Sequence, residues 1–213
     1  MNDVMVEEKS FSMLAGQLCL DFANTVGARD GGVIRDHIAD YADLVLWCKQ
    51  AGGLDEREAQ NLLEEAEEFP AEANAVLIRA IALREAIYQI FSALSAGQEP
   101  RQQDILTLNA ELSQAMSRAR IVHTSEGFHW DWMGGEFELE RVLWPIARSA
   151  ADLLTSGDLS RVRECAGEMC GWLFVDTSRN RSRRWCDMSD CGNRAKARRH
   201  YEKKKTGPLP PLS

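Results

Sequence analysis

The stretch CAGEMCGWLFVDTSRNRSRRWCDMSDCGNR, Cys165 to Arg194, decides how the last quarter of this chain can fold. It holds four of the six cysteines: Cys165 and Cys170 with four residues between them, then fifteen residues, then Cys186 and Cys191 with four between them. Two close pairs separated by about 15 to 20 residues have the spacing of a structural zinc site. A tetrahedral zinc ion takes four ligands, with sulfur at about 2.3 Å. Each short loop sets two thiolates on one edge of the tetrahedron, and the longer segment carries the chain to the opposite edge. Four sulfurs leave no open coordination position, so the expected cofactor is one structural Zn2+, and its binding free energy is folding free energy. Disulfides are the competing reading. The N-terminus MNDVMVEEKS carries acids and lacks the basic start and apolar middle of a secretory signal, so the expected compartment is the cytoplasm, where disulfides do not persist.

The net charge of −8 conceals a split. Residues 1–160 hold 12 Lys and Arg against 27 Asp and Glu, a net −15, while residues 161–213 hold 13 against 6, a net +7. Such asymmetry points to a polyanionic partner for the basic end. The run GNRAKARRHYEKKK after Cys191 reads as a helix with Asn193 as N-cap. At about 100° per residue, Arg194, Arg198 and Lys205 share one direction, and Lys196, Arg199 and Lys203 form a second strip. Ala197 and Tyr201 are expected to pack on the zinc module. Arg179, Arg181, Arg183 and Arg184 add a basic arm. Between residues 179 and 205 there are 11 basic and 3 acidic residues. A zinc-pinned basic helix with a basic arm suits a DNA backbone. The bland alternative is a charge run docked on the acidic part of the same chain. A further reading makes the module a protein–protein or RNA interaction device with no DNA-binding role.

These residues resemble the CGNR-type zinc finger family. The likeness rests on Cys165, Cys170, W-x-F at Trp172 to Phe174, D-T-S-R-N at Asp176 to Asn180, R-R-W-C at Arg183 to Cys186, and the literal C-G-N-R at Cys191 to Arg194. Upstream, LCLDFANT at Leu18 to Thr25 is similar to the opening motif of the stress-induced transcription regulator domain that precedes this finger in bacteria. The resemblance implies a bacterial DNA-binding regulator and names neither effector nor operator.

The rest of the chain reads as helical. Helices are expected at 40–49, 55–68 (closed by Pro70), 75–94, 101–116 and 142–154, where Pro145 either opens the first turn or kinks the helix. RARIVHT and GFHWDWM predict a β-hairpin around Ser125 to Gly127. GWLFV, 171–175, predicts a strand. The segment GQLCLDFANTVGARDGG fits a short helix or a strand. No apolar run approaches the roughly 18 to 20 residues of a membrane span. The expected fold is mainly α with a short β-hairpin (α+β): a helical N-terminal domain plus a small treble-cleft-like zinc module ending in a basic helix. The expected boundaries are 1–157 for the sensing or regulatory domain, 158–206 for the zinc finger, and 207–213 for a flexible tail.

In the helix at 75–94, Leu77, Ile81, Tyr88 and Phe91 recur at helical spacing with Ala80, Ile87 and Leu94, and Arg84 interrupts the stripe. A buried guanidinium needs a partner. Asp21 and Asn24 are candidates for an internal clamp, and a bound small acid is the alternative. The second reading places an effector pocket at Asp21, Asn24 and Arg84, walled by Trp130 and Trp132. The four histidines lack a nucleophile at catalytic spacing, and there is no phosphate loop or dinucleotide fingerprint, so no enzyme is expected. Cys19, in an apolar setting, reads as core. A homodimer is compatible with the class, although no heptad pattern shows one.

Overall fold

A computed structural model describes residues 9–29, 35–134 and 138–205; the tail expected at 207–213 lies outside them. The chain runs α1 (Leu18–Ala23), β1 (Val26–Gly27), β2 (Arg35–Asp36), α2 (Tyr41–Gln50), α3 (Glu56–Glu68), α4 (Pro70–Ser95), α5 (Gln102–Arg118), β3 (Ala119–Thr124), β4 (Gly127–Trp132), α6 (Trp144–Ser156), β5 (Val162–Glu164), β6 (Leu173–Val175) and α7 (Asn193–Lys205). The strands form three separate antiparallel pairs, β1–β2, β3–β4 and β5–β6. The fold is mainly α with small hairpins, as expected, and its C-terminal cysteine module ends in a helix. Among the described residues no helix is long and apolar enough to cross a membrane.

Local signals set most helix ends. Asp40 caps α2 by accepting from Asp43 N at 2.8 Å. Asp55 and Glu58 form a reciprocal capping box at the start of α3. Pro70 does more than close α3: it stands in the first turn of α4, where its missing N–H is an orphan in any case. Only Phe69 separates the two helices, so α4 starts five residues earlier than the apolar stripe predicts. Pro145 likewise opens the first turn of α6, and a 3-10 turn at Leu139–Leu143 leads into it. The ambiguous N-terminal motif is helical, as α1.

Helix α4 is the central post. Its core-facing residues are Ala73, Val76, Leu77, Ala80, Leu83, Ile87, Ile90 and Phe91, while Ile81, Tyr88 and Leu94 sit at the margin. Helices α1, α2, α3 and α5 pack on it, and β5 and β6 cover its remaining face. Phe22, Leu44, Trp47, Leu83 and Phe91 share one continuous apolar core with Val162, Leu173 and Phe174 of the cysteine module. Burying a side chain of this size contributes about 1.5–3 kcal/mol. The module therefore draws on the same core as the helices.

Polar contacts make the joint specific. Asn24 Nδ2 donates to Leu173 O at 2.8 Å, and its Oδ1 accepts from Leu173 N at 2.9 Å. Both groups are buried, so the amide satisfies a strand edge that would otherwise be orphaned. Trp172 Nε1 donates to Val26 O at 2.9 Å, Val175 N to Ala15 O at 2.8 Å, and Arg29 N to Cys170 O at 3.2 Å.

The partner of Arg84 is Asp36, not Asp21 as expected. The guanidinium donates to Asp36 Oδ1 at 2.8 Å and Oδ2 at 2.6 Å, and to Thr25 Oγ1 at 3.2 Å. Asp21 Oδ1 instead accepts from Ala15 N at 2.9 Å, inside its own loop. Strand β2 lies 48 residues before Arg84, and nothing in local spacing connects the two. Burial raises the Asp36 carboxyl, but the bonds from Arg84 and Ile38 N and the Arg84 charge outweigh it and hold it below its ordinary range.

Two outcomes follow. Asn24→Ala leaves both Leu173 groups unpaired and should destabilise by about 2–3 kcal/mol, lowering Tm by roughly 5–10 °C in a thermal melt. Because the Asp36 pKa is depressed on folding, its contribution is full above the unfolded carboxylate pKa and is lost as pH falls through the folded one. Melts from pH 7 to 3 should show a steeper acid loss in wild type than in Asp36→Asn; parallel curves would mean that the pair is energetically idle.

Candidate metal centre and its cationic surround

Strands β5 and β6 bracket the first cysteine pair. Cys165 follows β5 and Cys170 precedes β6, and Cys165 N donates to Trp172 O at 2.8 Å across the loop. Met169 (φ 60°) and Gly171 (φ 65°) flank Cys170 in the left-handed region, which folds the loop back on itself. The second pair frames a π-turn at Met188–Gly192 that runs directly into α7. Asp187 caps this turn, accepting from Ser189 N at 2.8 Å. Asn193 is therefore not the N-cap expected of it. It lies inside the helical run, and its Nδ2 donates to Ser189 O at 2.9 Å.

The four sulfurs of Cys165, Cys170, Cys186 and Cys191 lie within 4.8 Å of one another, and all four residues are buried. Cys170 and Cys186 are 3.6 Å apart at sulfur, and Cys186 and Cys191 are 3.7 Å apart. A tetrahedron with 2.3 Å bonds has edges of about 3.8 Å, whereas a disulfide needs about 2.05 Å. The spacing therefore fits a shared ion and not S–S bonds, and the four residues form a site for one structural zinc ion. Gly167 closes the cradle: a Cβ there would stand 3.0 Å from Cys191 Sγ and 3.3 Å from Cys165 Sγ.

Donors surround the sulfurs. Gly167 N and Cys186 N point to Cys165 Sγ at 3.4 and 3.3 Å. Arg194 Nη2 donates to Cys191 Sγ at 3.1 Å. Four thiolates on one divalent ion carry a net −2, and Arg194 is the cation set against it. Cys19 and Cys48 behave in the opposite way. Cys19 is fully buried in apolar surroundings that push its thiol up to about 12, and burial raises Cys48 too. Both are core residues.

The connection between the pairs folds on Asp176, whose carboxylate accepts from Ser178 N at 2.8 Å and Arg183 N at 3.0 Å. Arg183 was expected in the basic arm but is turned inward. It lies 4.4 Å over the Phe174 ring and donates to the carbonyls of Trp185, Cys186 and Leu14. Those carbonyls lack strand partners, and a guanidinium can satisfy three at once. Arg181 pairs with Asp158 at 3.1 Å. Arg179, Arg184, Lys196, Arg198 and Arg199 are exposed. Arg198 is held by Glu168 and by Glu202, the latter at 2.8 Å. Among the described residues, Arg194 and Arg198 of α7 pair with Asp190, Glu168 and Glu202, all in the module itself. Ala197 and Tyr201 do not pack on the metal centre as expected: both are exposed, Tyr201 at 64%, because the face of α7 turned to the module carries Arg194, Ala195, Arg198 and Arg199 instead. The side chains of Lys203 and Lys205 lie outside the described residues. A cleft of about 380 Å³ separates α7 from the first cysteine loop, walled by Met169, Arg184, Trp185, Arg194, Arg198 and Arg199.

The five residues expected to share an effector pocket are not brought together. Asp21 and Asn24 line a cavity of about 50 Å³ near His37 and Trp172, Arg84 is closed by Asp36, and Trp130 and Trp132 wall a separate, larger cleft. Gly167, Asp176 and Asp187 are the site residues that sequence reasoning missed. Asp176 and Asp187 had a visible signal, an acid two residues before Ser178 and Ser189.

The geometry defines a helical protein with an integral four-cysteine zinc finger. Residues 161–204 match the model of the CGNR zinc finger, and residues 16–157 match the ABATE family, described as "Putative stress-induced transcription regulator". The second match covers about two thirds of the chain, and the chain belongs to that family. A search of curated proteins finds no significant match. Neither description is of an enzyme.

Replacing Arg194 by Met should speed zinc release to a chromogenic chelator by tenfold or more, while Lys196→Ala should leave the rate unchanged. Equal rates in both variants would show that Arg194 does not stabilise the centre.

Proposed function

We propose that this chain is a DNA-binding transcription regulator of the bacterial cytoplasm, with residues 158–206 as the DNA-contacting module. Residues 1–157 sense a small molecule or mediate association, including homodimer formation. The observation that carries the reading is the cationic cleft beside the zinc centre. Arg184, Arg198 and Arg199 are exposed around it, Lys196 is exposed elsewhere on α7 and Arg179 lies on the adjoining arm, all on a scaffold that the metal holds rigid. The carboxylates on Arg198 do not oppose this. Exposed pairs of this kind are worth about 0–1 kcal/mol, so a phosphate can replace Glu168 and Glu202 at little cost. Arg194 serves the metal first, and Arg183 serves the loop.

Fluorescence anisotropy with a random duplex tests the proposal. With about five phosphate contacts, affinity should fall roughly 500-fold between 50 and 200 mM salt. Replacing Lys196 and Arg199 together by Ala should reduce the slope of log K against log salt by about 1.8 without loss of zinc. A flat salt response would favour the protein–protein reading, and preferential competition by single-stranded RNA would favour an RNA target.

A further inference from the structure

We infer a binding site for a flat aromatic carboxylate in the cleft between the β3–β4 hairpin, α6 and the α2–α3 turn. The cleft has a volume of about 510 Å³, within the range of small-molecule pockets. Its apolar surface comes from Trp130 and Trp132, two residues apart on one face of β4, with Pro145 opposite. Trp130 is 45% exposed, so part of its indole is open to a ligand.

Two guanidinia face this cleft, and each has capacity to spare. Arg141 is 6% exposed, and its Nε has no hydrogen-bond partner, although its Nη2 donates to Glu58 Oε1. A buried donor left unpaired costs about 1–3 kcal/mol, so Arg141 stands to gain from an added acceptor. Arg148 lies 4.3 Å over the Trp130 ring and reaches Asp152 only at 3.5 Å. Its planar face is thus stacked on Trp130, while its edge holds a long, exposed ion pair that a better-placed carboxylate can displace.

The four acids along the cleft do not argue for a cationic ligand, because each has a partner within the protein. Asp55 and Glu58 close the capping box, Glu58 also holds Arg141, Asp131 accepts from Arg120 at 2.8 Å, and Asp152 faces Arg148. An added carboxylate gives the guanidinia a further acceptor, and a flat ring extends the aromatic contacts that Trp130 makes with Arg148 and Trp132 makes with Trp144. A ring of bicyclic size bearing one carboxylate supplies both. Gly53, which also lines the cleft, lets the α2–α3 turn pack closely on α2 and α6: a Cβ there would stand 2.7 Å from Cys48 Sγ and 3.3 Å from Pro145 Cγ.

The inference deepens the sensing role proposed for residues 1–157, but its test reads ligand binding alone and stands whether or not the module binds DNA. Titration calorimetry of the full chain with 2-naphthoate should show saturable binding with a submillimolar Kd. Trp130→Ala and Arg148→Met, both at partly exposed positions, should each weaken it by tenfold or more, whereas Arg199→Ala should not change it. The neutral 2-naphthamide should bind at least tenfold more weakly than the acid. Absence of saturable binding would overturn the inference, as would wild-type affinity in both variants. Equal binding of the amide, or of a naphthyl amine, would overturn the assignment of a carboxylate.

Discussion

The structure depends on one coordination tetrahedron. Four buried sulfurs at edge distances of 3.6 and 3.7 Å bring together a hairpin, a charged loop and the start of a helix, none of which has a core of its own. Metal–sulfur bonds replace the apolar burial that so short a segment cannot supply. The centre is also wired into the rest of the protein. Strand β6, which leaves Cys170, is held on one side by the Asn24 amide and on the other by the apolar core around α4. The LCLDFANT motif and the CGNR finger, 149 residues apart at the Asn24–Leu173 contact, are thus two halves of one joint. This explains the amide at Asn24, the C-cap of α1: its N–H and carbonyl are set side by side, so it donates to and accepts from the same strand residue.

Electrostatics divides the arginines by the groups they meet. Arg84 and Arg29 brace α4 against the N-terminal segment, Arg84 through Asp36 and Arg29 through Glu85 at 2.8 Å with its guanidinium 3.9 Å over Tyr88. Arg183 satisfies carbonyls, and Arg194 faces a thiolate. Exposed arginines gather at the cleft beside α7, among them Arg184, Arg198 and Arg199, and Arg198 pairs there with exposed carboxylates of the module itself. A net charge of −8 for the chain therefore coexists with a local cationic surface, because the acidic residues concentrate on other elements, α3 above all.

Much of this was legible in advance because it is local. Cysteine spacing is a geometric constraint on a single ion, so the ligand set could be read without knowing the rest of the fold. Asp40, Asp55, Pro145 and the hairpin turn act within a few residues of themselves. The same reasoning failed where a residue had more than one local option. Asn193 has the composition of an N-cap, but the π-turn set by Cys191 had already started the helix upstream. Arg183 sits in a run of arginines whose other members face water, and only the carbonyls exposed by the metal loop turned it inward.

By itself, the sequence determined the metal, its four ligands, the helical class and the polarity of charge along the chain, since each rests on residue type and spacing over a few turns. The tertiary structure decided who meets whom across long separations: Asp36 rather than Asp21 for Arg84, Leu173 for Asn24, and Arg141 and Arg148 rather than Arg84 beside the tryptophans. Such pairings depend on how helices pack around α4. A guanidinium accepts any carboxylate within reach, and only the packed core determines which one that is.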